Sequence, residues 1–421
     1  MERRHLAILS LATIAASLSS AASGQDLVRL PDAHLTSRGE FGTAVAVDGR
    51  LAVVGAPGDE ELGVDAGAAY VYALLDPVPG VLTRAAPDWT LVGRLTAFDG
   101  FAGDRFGESV AISGETIFVG APRAACGSSE GHDTECGAVY VFTNDGTGGW
   151  NQSLLEPSHM NTYGIFGWSL DAEGDRLLVG AYGDGRVAEQ SGAGFIFERE
   201  DSGEWTERAS LLPSDGDVAD WTGYSVGLSG DVAVLGAYNS AGPGGLTGAG
   251  SVYIFERSPA GHWKEVGERY AADAEAWDHV GRALAVEGDL LIAGSHRKNT
   301  SRGAAYLFRR TGGTWIQEDK WTAPGAGPKA SFGTSIDIEG EVVAIAAPGW
   351  DVYGPASGVV FTRRFTGGAW TGYRMWLPRD GDRADKFGLP VTLKLPGILF
   401  AAPGNDILAD NAGAVYAAFL E

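Results

Sequence analysis

The chain has 421 residues, enough for two average domains or one large all-β domain. Glycine supplies 63 of them, roughly twice the share of about 7% in an average protein, as a fold with many tight turns requires. The formal charge of −23 repels phosphate backbones and argues against nucleic-acid binding. It suits a soluble protein, or one that meets cations or basic partners.

Residues 1–24 read as a signal peptide. Arg3 and Arg4 give a basic start, and Leu6 to Leu18 is an apolar run too short to span a bilayer. Small residues follow from Ser19 to Gly24, so cleavage is expected before Ser23 or Gln25, with no cysteine there to carry a lipid. No later segment is long and apolar enough for a membrane helix, so a secreted, periplasmic or extracellular protein is expected.

One phrase then recurs seven times. In its clearest copy it runs from Phe106-Gly107 through Val110, Ile112, a turn at Ser113-Gly114-Glu115, then Ile117 and Val119, to Gly120-Ala121-Pro122. Alternation of apolar and small or polar residues predicts two strands, and the glycine between them predicts a two-residue hairpin turn. The openings are Phe41-Gly42, Phe106-Gly107, Phe166-Gly167, Thr222-Gly223, Val280-Gly281, Phe332-Gly333 and Phe387-Gly388, spaced by 65, 60, 56, 58, 52 and 55 residues. Fourteen residues after each opening comes a small-residue step: Gly55-Ala56-Pro57, Gly120-Ala121-Pro122, Gly180-Ala181-Tyr182, Gly236-Ala237-Tyr238, Gly294-Ser295-His296, Ala346-Ala347-Pro348 and Ala401-Ala402-Pro403. A third strand follows a variable loop, as in Gly137 to Phe142. A fourth starts at Trp89, Trp150, Trp205, Trp263, Trp315 and Trp370. Four strands repeated seven times predict an all-β, seven-bladed β-propeller of antiparallel blades over residues 25–421.

Seven openings share only six such tryptophans. The segment Leu27-Val28-Arg29-Leu30-Pro31-Asp32 is similar to what precedes later openings, such as Leu211-Leu212-Pro213-Ser214-Asp215 and Trp376-Leu377-Pro378-Arg379-Asp380. The N-terminal segment is therefore expected to supply the outer strand of blade 7 and close the ring, removing an exposed sheet edge.

A repeat opened by Phe-Gly and closed by Gly-Ala-Pro resembles the FG-GAP repeat of integrin α-subunit propellers, in its bacterial short form. The resemblance covers essentially the whole chain after the leader, with copies 1 and 2 intact and copies 4 and 5 the most degenerate. It implies an adhesion-type or protein-binding propeller. The long form also carries an Asp-rich calcium loop between Phe-Gly and Gly-Ala-Pro. Here that place holds only a tight turn, such as Asp48-Gly49-Arg50 or Glu173-Gly174-Asp175. Calcium takes six to eight oxygens from a loop of several residues, so the metal sites are not carried over and no cofactor is expected.

Variable loops on a rigid scaffold are the expected ligand face. The loops after the second strands supply the candidates: Asp59, Glu60, Glu61 and Asp65 in blade 1; His132 in blade 2; Asp184 in blade 3; His296 and Arg297 in blade 5; Trp350 in blade 6; and Asp406 and Asp410 in blade 7. Alternatively these are ordinary solvated loops. Blades 1 and 7 become neighbours on closure, which would bring their carboxylates together; a weak calcium site in these two loops is a third reading. Cys126 and Cys136 in blade 2 are expected to form a disulfide, since two thiols make a poor zinc site. The aspartates two residues before four openings, Asp104, Asp220, Asp278 and Asp385, are expected to accept backbone amides in the entering turn. The fourth-strand tryptophans are expected to pack on outer blade faces.

No His-Glu-x-x-His or phosphate-cradling loop is present. The function expected is therefore non-catalytic: an exported monomeric binding or adhesion module for a protein or surface ligand. A carbohydrate-binding or carbohydrate-active propeller is the alternative. In its favour, Asp145 to Trp150 and Asp201 to Trp205 are loosely similar to the Asp-box of sialidases, although the other copies lack the match.

Overall fold

The computed structural model describes residues 27–31, 38–74, 89–126, 134–159, 161–407 and 411–420. The expected leader, His132 and Asp410 lie outside the described residues. Seven antiparallel sheets form a propeller with almost no helix. Blade 1 shows the pattern: Ala44–Asp48 pairs with Leu51–Ala56, which pairs with Ala68–Leu74, which pairs with Trp89–Leu95. The first strand lines the axis and the fourth lies at the rim. In blade 6 the rim strand is split into Ala369–Trp370 and Arg374–Trp376, both on Val359–Thr366.

The core is shared between blades. Each of seven hydrophobic clusters draws residues from two neighbouring sheets; one joins Phe118 of blade 2 to Trp205 of blade 3, with ring centroids 4.9 Å apart. Burial in each blade thus depends on its neighbours, as expected of stacked repeats. Trp89, Trp205 and Trp315 are buried in these clusters, so these fourth-strand tryptophans pack between blades.

The repeat phrase is the joint between blades. The residue that opens each copy forms a parallel bridge with a glycine of the preceding blade: Phe106 with Gly67, Phe166 with Gly137, Thr222 with Gly192, Val280 with Gly250, and so on to Phe41 with Gly413. Where that residue is Phe, its ring turns into its own blade. Phe106, for example, meets Tyr140 and Phe142 at 5.5 and 6.0 Å.

The ring closes as the N-terminal segment predicts. Val28 pairs with Ala417 and Arg29 with Tyr416, completing blade 7. The Leu30 amide donates to the Val415 carbonyl at 2.8 Å, and the Leu30 side chain is buried between blades 7 and 1. The Tyr72 hydroxyl of blade 1 donates to the Pro31 carbonyl at 2.9 Å.

Candidate functional site

The two ends of the propeller differ in chemistry. At one end lie the hairpin turns between first and second strands. At the other, the loop face, lie the blade openings and the loops between second and third strands.

At the turn end, the last residue of each first strand reaches to the next blade. Asp48 accepts the Gly114 amide at 2.7 Å, and Ser113 donates to the Gly174 carbonyl at 3.0 Å. Glu173 accepts the Gly230 amide, and Ser229 accepts the Gly288 amide at 3.1 Å. Glu339 meets Lys394 at 3.3 Å. These turn residues therefore act as latches between blades. Along the channel, Asp171 accepts the Leu228 amide at 2.7 Å. Asp337 accepts the Leu393 amide at 2.7 Å and the Thr392 hydroxyl at 3.0 Å. The innermost strands have no partner on their axial side, and these carboxylates satisfy some of the amides left there. Protein encircles both carboxyls even though they touch channel space. That burial pushes Asp171 up to about 7 and Asp337 up to about 6, with each channel carboxylate adding repulsion from its acidic neighbours. The cavity they line is about 350 Å³.

At the loop face, the acidic candidates divide into anchors and exposed groups. Asp59, Asp184 and Trp350 share one repeat position, four residues after the start of the closing step, with Ser240, Lys298 and Asn405. This position is the inner root of each loop. Asp59 is 6% exposed, accepts the Tyr70 hydroxyl at 2.7 Å and pairs with Arg94 at 2.6 Å. Burial and then Asp59 push the Tyr70 hydroxyl up to about 12. Asp184 is 2% exposed and accepts from the amide and Nε of Arg186, whose guanidinium covers Phe195. Trp350 packs on Phe361. Glu60, Glu61 and Asp406 are exposed, Glu61 meets Arg94 at 3.1 Å, and Asp65 is half-buried in a left-handed turn. Among the described residues no group of three acidic, histidine or cysteine side chains is arranged to hold a metal ion. Cys126 and Cys136 are bonded, with Cα atoms 5.2 Å apart.

The four opening aspartates behave alike. Asp104, Asp220, Asp278 and Asp385 each accept the amide three residues upstream at 2.7 Å. They pin a strained turn. The residues on either side of the last three, such as Ala219 and Trp221 or Trp277 and His279, have φ near +60°, a region costly for non-glycine residues. The strain recurs around the ring, so it belongs to the architecture.

What sets blades 3 to 5 apart is aromatic. Trp168 and Tyr224 stand directly after the opening glycines. Tyr182, Tyr238 and His296 stand where the intact copies have Pro57 and Pro122. Trp221, Trp277 and His279 lie in the entering turns. All eight rings join in one network. Trp168 meets Tyr182 at 4.9 Å and Tyr224 at 5.2 Å; Tyr224 meets Tyr238 at 4.5 Å; Tyr238 meets Trp221 at 5.3 Å and His279 at 5.2 Å. His279 continues to His296 at 5.5 Å and Trp277 at 6.3 Å. Arg282 donates to the Tyr224 hydroxyl at 2.6 Å and lies over Tyr224 and Tyr238. The network is only half covered, and Trp277 is 53% exposed.

The histidines here are held neutral. Burial and then the Arg297 and Arg282 charges pull His279 down to about 4. Burial, then Arg282, pulls His296 down to about 3. Of the sequence candidates only His296 and Arg297 belong to this shelf. Its remaining members were missed, although a signal existed: the closing proline is replaced by Tyr, Tyr and His in three consecutive copies.

No described helix is long and apolar enough to cross a membrane. A family model described as FG-GAP repeat matches residues 34–72, 89–142, 150–197, 205–255 and 263–308, more than half of the chain. The copies opening at Phe332 and Phe387 lie beyond these matches yet form blades of the same topology. No curated protein matches the chain.

Proposed function

The chain belongs to the FG-GAP repeat family, and from that premise we propose that it is a non-catalytic binding propeller. It acts outside the cytoplasm and receives a protein or cell-surface ligand on the aromatic shelf of blades 3 to 5. Propellers of this repeat are commonly protein-binding scaffolds, and the shelf is the observation that carries the reading here. Half-exposed aromatic rings fixed on strand ends supply large contact area at little cost in side-chain entropy. The bonded cysteines favour an oxidising compartment. The carboxylates of blades 1 and 3, by contrast, are engaged by Arg94, Tyr70 and Arg186.

The test is parallel screening of the mature chain on a glycan array and a displayed-peptide library. A Trp221→Ala/Trp277→Ala variant and an Arg199→Ala control at the turn end are screened beside it. Ligands of the wild type should be lost from the shelf variant and kept by the control. Ligands kept by the shelf variant would overturn the assignment. The propeller needs no calcium in this reading, because its hairpin turns are too short to wrap an ion. Melting with and without a chelator should coincide, and a shift of several degrees would refute that part.

A further inference from the structure

The shelf has a charge and a hydrogen-bonding character that select among ligands. Its corner in blade 5 carries two guanidinium groups in a chain of net charge −23. Arg282 bonds to the Tyr224 hydroxyl, and neither it nor the exposed Arg297 pairs with a carboxylate among the described residues. The lysine beside them is spent differently. Lys298, next in sequence, is buried and meets Asp278 at 2.8 Å and Glu275 at 3.1 Å.

The rings also hold polar atoms without partners. His279 is 7% exposed, and its buried Nε2 makes no hydrogen bond; nor does the buried Nδ1 of His296. A buried unsatisfied group of this kind costs free energy unless a ligand or water completes it. The Tyr182 and Tyr238 hydroxyls likewise bond to no described residue. Flat, half-exposed rings interleaved with neutral donors and acceptors suit a ligand that is apolar on its faces and rich in hydroxyls at its edge. A pyranose ring has that anatomy. The paired guanidiniums add a demand for a planar anion, because Arg engages carboxylates through parallel N–H bonds.

We propose that the shelf binds an acidic saccharide, a chain of pyranoses bearing ring carboxylates, with sugar faces on Trp277 and Tyr238 and a carboxylate at Arg297 and Arg282. This rests on the shelf being the ligand site. It narrows that site to uronate-type sugars and away from neutral glycans. An acidic peptide would satisfy the guanidiniums but would leave the ring faces and the histidine nitrogens unused.

The test is calorimetric titration of the full mature chain with oligouronides of galacturonate, mannuronate and glucuronate. Matching carboxyl-reduced neutral oligosaccharides and an aspartate-rich peptide of equal charge are titrated alongside. At least one oligouronide should bind and quench tryptophan fluorescence, with its neutral counterpart weaker by about tenfold or more. Arg297→Gln and Trp277→Ala should each weaken it by about tenfold while the melting temperature stays unchanged. No binding of any oligouronide at millimolar concentration overturns the proposal, as does affinity equal to that of the neutral sugar or unaltered by Arg297→Gln. Preferred binding of the aspartate peptide also overturns it. A neutral glycan or peptide that binds more tightly than every oligouronide and is lost on Trp277→Ala would sink the acidic-sugar assignment and leave the shelf as the ligand site. Oligouronide binding untouched by both Trp221→Ala and Trp277→Ala would sink both.

Discussion

A Cβ on Gly55 of blade 1 would lie 2.0 Å from the carbonyl oxygen of Gly107 in blade 2. The closing glycine of one copy and the opening glycine of the next therefore touch, backbone against backbone. The same approach recurs at Gly120 with Gly167 and at Gly294 with Gly333. It gives the repeat phrase its physical meaning: two motif glycines from different copies form one joint.

Gly120→Ala should therefore be severe, because the nearest obstacle is the Gly167 carbonyl, which cannot turn away as the Ser109 hydroxyl beside it can. A loss of about 3 kcal/mol or more is expected. Gly114→Ala, at a hairpin turn with φ +60° and nothing within 4 Å of the added atom, should cost only about 1 kcal/mol. Chemical denaturation of the two variants checks the contrast, and equal losses would contradict the joint.

The N-terminal strand contributes only Val28–Arg29 to the sheet, yet it carries Leu30 into the interface between blades 7 and 1. Removing residues 27–31 should lower the melting temperature sharply. Leu30→Asp should lower it nearly as much, since it buries a charge without a partner. Melting unchanged by both would refute closure as a source of stability.

Asp171 and Asp337 set a pH dependence of known sign. Their folded values, about 7 and about 6, exceed the ordinary carboxyl value of about 4. Between those limits the folded state holds more protons, so stability rises as pH falls from 8 towards 4 and then levels. Asn keeps an acceptor for the Leu228 and Leu393 amides without the charge. The double Asn variant should gain about 1–3 kcal/mol at pH 8 and lose much of the gain on acidification. A pH profile parallel to that of the wild type would count against the assignment.

His279 and His296 act in the opposite direction. Their folded values, about 4 and about 3, lie below the ordinary value of about 6.5. The unfolded chain takes up protons first, so stability falls as pH drops from 6.5 towards 3. Imidazole resonances followed by NMR should show both rings neutral at pH 5. Arg297→Gln should move the His279 midpoint upward, because Arg297 is the next cause after burial. Midpoints at pH 6 or above would contradict the environment described.

The architecture was legible because the glycine joint tolerates no insertion: the fourteen-residue interval is the distance between two fixed contacts. Closure was legible for a similar reason, since Leu27 to Asp32 copies the segment that precedes other openings. The site was harder. Asp59 and Asp184 look like free loop carboxylates, and what engages Asp59 is Arg94, 35 residues away on a rim strand. The shelf assembles single residues from strand ends and turns in three copies, with no local run to mark it. Only the loss of the closing proline at Tyr182, Tyr238 and His296 points there, and it reads as decay of the motif until the copies are set side by side in space.

Closure by the first strand also orders events in time. Val28 and Arg29 leave the ribosome long before their strand partners, Ala417 and Tyr416. Until those arrive, blade 7 lacks its rim and the interface with blade 1 stays open, so the earliest segment is the last to find its place. A ring that closes only when these two distant segments meet cannot complete its last interface part-way through synthesis.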